Sequence, residues 1–336
     1  MICERESRLV AKQPIISGDL LKGLSFEFPK TFKEGRFGWK QIMRFQGLVF
    51  LGAAAARGIF ENIYSLGDSI SDNGNYYTIS GGTTPGPEYF KGRFSNGFTW
   101  VEYLARTLEA KLRVLAFGKA TSDSKQFAVD DQLDVPGCIQ QADTLIYEYN
   151  QKETTTPSLK DHTLVTLAFL GNDFFDPKAS AAAVSKNLEK CASTILSHTT
   201  IKHMLIPTSS APELFPYFQQ DPSQLPLLKQ SAAELETSWK TTLLRLKSAH
   251  PKVNFYNLNF RDVMYSIKNG TSPFLSRPFD DTETPCFTPG KPKCPRPDTH
   301  MFFDGLHPTT KTHMIIANAA AALLPQQPKL RMLRHA

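Results

Sequence analysis

The chain has 336 residues, 41% hydrophobic and 21% charged, with 24 Phe and 23 Pro. That composition excludes a disordered chain, which would be charge-rich and poor in aromatics, and the length suffices for a sizeable core without help from metals or disulfides. The net charge of +6, from 38 basic and 32 acidic residues, occurs without blocks of like charge; it suits an anionic surface and gives no nucleic-acid footprint.

Residues 1–58 carry basic and turn residues without an amphipathic period and read as an N-terminal extension. They contain the longest apolar run, Gly47 to Ala56, which is too short to span a bilayer. Two readings of that run compete. It is either a buried segment of a folded domain or, if translation starts at Met43 with Arg44 behind it, the apolar core of an export signal. The pattern changes at Ile59, and 59–336 reads as one domain.

The predicted elements then follow in order. Ile63 to Leu66 is a buried strand that ends at a turn. Thr99 to Ala110 is a helix, with Trp100, Leu104 and Leu108 recurring every fourth residue. Val114 to Phe117 is a short strand, and Gln132 to Tyr149 a turn followed by a helix. Thr163 to Phe169 is the clearest strand, a near-continuous apolar run. Ala179 to Leu196 is helical, Met204 to Ile206 a strand stopped by Pro207, and Leu227 to Ala249 a long helix. Val253 to Leu258 is a strand and Thr310 to Leu324 the last helix. Alternation of this kind specifies an α/β fold, a parallel sheet with helices on both faces. Such sheets bind ligands at the carboxyl ends of their strands, so the loops there are where chemistry is to be sought.

Three such segments stand out. Gly67-Asp68-Ser69-Ile70-Ser71-Asp72-Asn73-Gly74-Asn75 follows the first strand and holds a serine at the top of the sheet. If the turn opens a helix, the free N–H groups there favour developing negative charge; the plainer reading makes Ser69 and Ser71 helix caps. Phe303-Asp304-Gly305-Leu306-His307-Pro308 offers a base and an orienting carboxylate on one loop, as a nucleophilic serine requires. Leu170-Gly171-Asn172-Asp173 follows the clearest strand, and an Asn there can donate its amide to an oxyanion. Alone, each of the last two is also an ordinary turn.

The five cysteines, Cys3, Cys138, Cys191, Cys286 and Cys294, have no zinc-ribbon spacing. Cys286 and Cys294 flank a short Pro- and Gly-rich loop that a disulfide can close, which would imply an oxidising compartment. Cys138 and Cys191 read equally well as buried apolar thiols. His300, His307 and His313 fit no common metal site. Asn269-Gly270-Thr271 is a glycosylation sequon, meaningful only in a eukaryotic secretory setting. Lys329 to Arg334 is a basic end that reads as a solvated tail.

Taken together, the three segments resemble the blocks of the GDSL, or SGNH, hydrolases. Residues 67–75 match the first block, GDSxSDxGN, throughout, Asp304 to Pro308 match the block DxxHP, and Leu170-Gly171-Asn172-Asp173 matches the block GxND except at its first position. The resemblance runs from about Ile63 to Leu324. It is nearest to the bacterial phospholipase and acyltransferase branch that includes the thermolabile haemolysins. Gly92-Arg93-Phe94-Ser95-Asn96-Gly97, the following Trp100 to Ala105, and the cysteine pair before the last block support that branch.

The resemblance implies a three-layer α/β/α sandwich on a parallel five-stranded, flavodoxin-like sheet. It implies a carboxylic ester hydrolase without cofactor or metal that acts on lipid or other esters, a phospholipase A or lysophospholipase with acyltransferase activity as an option. It assigns Ser69 as nucleophile, His307 as base and Asp304 as its orienter. The oxyanion hole is then the Ser69 N–H, an N–H from Gly118 or Lys119, and the Asn172 side chain. Asp72 and Asn75 hold the loop. Two residues depart from the pattern: Lys119 and Leu170 stand where glycines are expected. They keep open a catalytically weak member that binds lipid or a partner, and because such a fold serves many substrates, an esterase on acetylated carbohydrate or simple esters is a second alternative.

Overall fold

The computed structural model describes residues 59–325, except 128, 130–132, 155–156 and 209–210. The N-terminal extension, its apolar run, Cys3 and the basic end lie outside the described residues.

Five strands, β1 (Asn62–Gly67), β2 (Lys111–Val114), β3 (Thr163–Ala168), β4 (His203–Pro207) and β5 (Asn254–Leu258), form one sheet in the order β2-β1-β3-β4-β5. Every pairing is parallel. This is the flavodoxin-like order, with a topological switch between β1 and β3, where the chain winds outward in both directions. The loops after these two strands therefore diverge and leave a crevice at the sheet's carboxyl edge.

Strand alternation sorts the core into two layers. Ile63, Leu164, Ala168 and Leu205 point to one face, and Tyr64, Leu66, Val165, Leu167, Met204 and Ile206 to the other. On the first face the helices α2 (Trp100–Thr107), α7 (Phe260–Lys268) and α8 (Thr310–Leu323) supply Trp100, Leu104, Met264, Ile316 and Ala320. On the second, α3 (Cys138–Glu153), α4 (Ala181–His198) and α6 (Leu225–Ala249) supply Leu145, Ile195, Trp239 and Leu246. β3 is buried at every residue because it is central and covered on both faces. Thr166 and Ser65, a polar pair inside the first layer, are satisfied by a 2.9 Å hydrogen bond across the strands.

Some boundaries differ from the sequence reading. The second strand is Lys111–Val114, upstream of the apolar stretch Val114 to Phe117. It is a sheet edge, so Lys111 and Arg113 alternate outward, and the apolar residues that follow lie below the loop, where Leu115 and Phe117 still donate to the Ser65 and Gly67 carbonyls. Ser69 opens no helix either. The first helix, α1 (Asn75–Ile79), starts six residues later, and residues 68–72 form a turn closed by Ser71 and Asp72 N–H groups on the Asp68 carbonyl. Neither serine caps a helix: Ser71 Oγ accepts the indole N–H of Trp100 at 3.0 Å. The short helix α5 (Pro216–Gln219), helix α7 and a two-stranded parallel pair, β6 (Asp281–Pro285) with β7 (His300–Phe302), were not anticipated.

Among the described residues two disulfides are present, Cys286–Cys294 and Cys138–Cys191. The second corrects the reading of Cys138 and Cys191 as buried thiols. Both are apolar and buried, as read, but α3 and α4 pack side by side on the same sheet face and bring their Cα atoms to 5.9 Å, within bridging range. Among the described residues no helix is long and apolar enough to cross a membrane.

Candidate active site

The loop after β7 explains the spacing of Asp304 and His307. Phe303 N–H donates to the His307 carbonyl at 2.8 Å and closes a tight turn. Asp304 Oδ1 accepts the N–H groups of Leu306 and His307, each at 2.8 Å, as an Asx turn does. A carboxylate that already holds the backbone of residue i+3 also meets that residue's ring: His307 Nδ1 lies 2.8 Å from both Asp304 oxygens. On the other side of the ring, Nε2 lies 2.9 Å from Ser69 Oγ, across a sequence separation of 238. Burial opposes ionisation of Asp304, but His307, the Tyr89 hydroxyl and the Leu306 N–H hold its carboxyl below the usual carboxylate range. The Ser69–His307–Asp304 chain of hydrogen bonds can move a proton from the serine hydroxyl to an imidazole whose cationic form the carboxylate stabilises.

Three buried aspartates stitch together the loops after β1, β2 and β3, each joining a different pair. Asp68 Oδ2 accepts the Leu170 N–H at 2.8 Å and so joins the β1 and β3 loops. Asp72 joins β1 to β2. Its Oδ1 accepts the N–H groups of Gly74 and Asn75, and its Oδ2 those of Tyr76 and, at 2.7 Å, Gly118. Asp173 joins β3 to β2 by accepting the Ser122 N–H at 2.9 Å and the Ser122 hydroxyl. Asn75 adds amide hydrogen bonds to the Val114 and Ala116 carbonyls. Burial raises the pKa of all three aspartates, that of Asp68 to about 6, against the pull of the N–H groups they accept.

The candidate oxyanion residues fare differently. Asn172 begins a 3₁₀ turn after Gly171, and its Nδ2 donates to the Ala120 carbonyl at 3.0 Å, which leaves a second amide proton to aim elsewhere. The N–H of Gly118 is already given to Asp72, so Gly118 is not the donor the sequence reading allowed. Its lack of a side chain serves packing instead, since a Cβ there would lie 2.4 Å from the Phe94 ring. Lys119 takes the left-handed conformation, φ 64°, that its position demands, and its ammonium lies 5.3 Å from the centre of the Tyr76 ring. The Leu170 departure is accommodated without strain. The left-handed residue in that loop is Gly171, φ 131°, and Leu170 is a core residue.

Ser69, Asn172 and His307 open onto a cleft of about 380 Å³ between the β3 loop and the start of α6. Its walls are mainly apolar, with Leu170, Phe174 and Phe175 from the β3 loop and Leu227, Leu228 and Leu235 from α6, and Asp176, Gln224 and Ser231 among the polar lining. His300 and His313, grouped with His307 in the sequence, have surroundings of their own. His313 is fully buried, burial pushes its pKa down to about 3, and its neutral Nδ1 accepts the Trp100 N–H. His300 Nδ1 lies 3.1 Å from the Thr299 hydroxyl.

The stretch Arg93 to Glu102 clasps the His307 loop. Arg93 pairs with Glu102, whose Oε2 accepts the Thr99 N–H that starts α2. Phe94 packs 5.0 Å from the His307 ring, Ser95 Oγ donates to the Pro308 carbonyl, and Asn96 Oδ1 accepts the Thr310 N–H. The sequence reading missed one residue at the centre: Tyr89 donates its hydroxyl to Asp304 Oδ2 at 2.6 Å.

The model of the family described as GDSL-like Lipase/Acylhydrolase matches residues 63–320. A thermolabile hemolysin of Vibrio parahaemolyticus is 24% identical over 76% of this chain and 62% of its own length. A phosphatidylcholine-sterol acyltransferase of Aeromonas hydrophila is 24% identical over 84% of this chain and 96% of its own. The secreted effector protein SseJ of Salmonella typhimurium is 27% identical over 75% of this chain and 60% of its own. The chain thus spans less than two thirds of the hemolysin and of the effector.

Proposed function

Because the chain belongs to the GDSL-like lipase/acylhydrolase family, its model spanning residues 63–320, we propose that it cleaves carboxylic esters of lipids by acyl transfer through Ser69. The observation that carries the reading is the Ser69–His307–Asp304 chain of hydrogen bonds at the mouth of an apolar cleft.

Ser69 Oγ attacks the ester carbonyl carbon while its proton passes to His307 Nε2. The oxyanion that forms faces the Ser69 N–H and the Asn172 amide, with Lys119 the block residue left for this role once Gly118 is engaged. The bond to the alcohol breaks, and His307 gives its proton to the departing oxygen. Water, or a second alcohol, then attacks the acyl-enzyme, yields its proton to His307, and Ser69 is restored. The cleft favours a lipid over an acetylated sugar, because its walls are mainly Leu and Phe, which match an acyl chain. An alcohol as acceptor is motivated by the relative named as a sterol acyltransferase. The net charge of +6 suits work at an anionic membrane surface, and two disulfides support maturation outside a reducing cytoplasm.

The test is fatty-acid release from diacyl and lyso phospholipids in parallel, by wild type and Ser69→Ala, with an acetyl ester alongside. We expect release by wild type that falls by roughly 10⁴-fold or more in Ser69→Ala. Turnover confined to the acetyl ester would favour the carbohydrate or simple-ester reading. Folded wild type that neither releases acid nor labels at Ser69 with a fluorophosphonate would favour a binding role.

A further inference from the structure

We propose that Tyr89 is a positioning residue for the reaction: its hydroxyl holds the outer oxygen of Asp304 and thereby sets the orientation and basicity of the carboxylate that faces His307. The proposal rests on the reading of Ser69 as nucleophile. Asp304 Oδ1 has its donors within its own turn, from Leu306 and His307. Oδ2 has no such neighbour. Besides the His307 ring, the donor recorded for it among the described residues is the Tyr89 hydroxyl, at 2.6 Å and from a segment 215 residues away.

The ring that carries this hydroxyl is fixed. Its centre lies 5.1 Å from Phe303, 5.7 Å from Phe287 and 6.3 Å from Phe94, all edge-on. Phe287 is held in turn: it follows Cys286 of the Cys286–Cys294 disulfide, and its N–H donates to the Phe303 carbonyl at 2.7 Å. Burial, then the charge of Asp304, raises the Tyr89 pKa far above that of an ordinary phenol. The hydroxyl therefore keeps its proton and can only donate to the carboxylate. A donated hydrogen bond draws charge from Oδ2 and weakens the carboxylate's stabilisation of the imidazolium. It also holds in place the carboxylate whose two oxygens lie 2.8 Å from His307 Nδ1.

The test compares Tyr89→Phe, which keeps the ring and its packing, with wild type on a soluble short-chain ester across pH, and follows fluorophosphonate labelling of Ser69. We expect kcat to fall about tenfold, the scale of one lost hydrogen bond to a charged group, with KM unchanged. The pH profile of kcat/KM should change with it, which loss of packing alone would not produce. In an Asp304→Asn background the same substitution should change the labelling rate little. Tyr89→Leu separates packing from hydrogen bonding. If Tyr89→Phe matches wild type in kcat and pH profile while Tyr89→Leu is impaired, the ring alone matters and the proposal fails. An equal loss with and without Asp304 also overturns it. Wild type that fails to label at Ser69 overturns the catalytic reading itself, and the role of Tyr89 with it.

Discussion

Lys119 holds a left-handed backbone, φ 64°, that an L-residue with a Cβ adopts at a cost of about 1–2 kcal/mol. Its neighbours explain why the chain accepts this. Gly118 on one side is pinned by Asp72, and Ala120 on the other accepts the Asn172 amide, so the turn between them is set by hydrogen bonds from two other loops. Comparing Lys119→Gly with Lys119→Ala tests the point, because both remove the contact with Tyr76 and only the second keeps a Cβ. Gly normally costs about 1 kcal/mol against Ala within helices. Here the order should reverse, with Lys119→Gly the more stable by about 1 kcal/mol in urea unfolding. Hydrolysis of a neutral ester should be equal in the two, since both keep the backbone N–H. The residues of the Ser69–His307–Asp304 chain were legible because each sits in a short linear block whose spacing local turns enforce, as Asp304 does by binding the N–H of His307. Tyr89 was not, because a contact over 215 residues leaves no local trace and a lone Tyr in a Gly- and Pro-rich loop looks like any other. The engagement of Gly118 was hidden for the same reason: its partner Asp72 lies in another loop.

Elements with a strong period were readable, and those defined by a partner were not. β3 declares itself by an unbroken apolar run, and α6 by Leu235, Leu243 and Leu246. β2 does not, because an edge strand needs apolar residues on only one side; its limits follow from pairing with β1 and not from its own composition. Likewise, β6 and β7 are too short for any period to show. The Cys138–Cys191 bridge also depends on a partner. It joins the first turn of α3 to the middle of α4 over 53 residues, and nothing in either helix alone distinguishes a bridged cysteine from a buried thiol. Its effect on stability follows from the loop it closes. By chain entropy, 53 residues correspond to about 4 kcal/mol, against about 2.5 kcal/mol for the 8 of Cys286–Cys294. Replacing Cys138 and Cys191 together by Ala should lower the unfolding free energy by about 4 kcal/mol. Labelling of Ser69 in the folded variant should remain near wild type, because what ties the start of α3 to the loop after β2 is the backbone hydrogen bond from the Cys138 N–H to the Thr121 carbonyl, which does not need the sulfur. An unchanged urea midpoint would show that the bridge does not form in the protein.

At the scale of the whole molecule, the site is a knot of negative side chains at the switch point of the sheet, and this gives stability a pH dependence whose sign can be worked out. Asp68, Asp72 and Asp173 join the three strand-end loops pairwise, and burial raises the pKa of each. Asp68 has its pKa raised from 3.8 to about 6. A raised folded-state pKa means that the native protein binds more protons than the unfolded chain between those values. The group's contribution is therefore fully present below pH 3.8 and is lost as pH rises through about 6. The difference corresponds to about 3 kcal/mol. Asp304 runs the other way: its pKa is lowered, so its contribution is present above the ordinary carboxylate range and lost as pH falls through its folded value. The two windows are separate, since that of Asp68 ends near neutrality and that of Asp304 lies in acid. Asp68→Asn removes the first without touching the second. Its amide oxygen still accepts one N–H, while its NH₂ faces the other donor, Ile70 or Leu170, at a cost that does not vary with pH. Measured by urea unfolding, the stability of Asp68→Asn relative to wild type should therefore rise by up to about 3 kcal/mol between pH 4 and pH 7. A difference that stays constant over that range would mean that Asp68 ionises in the folded protein as freely as in the unfolded chain.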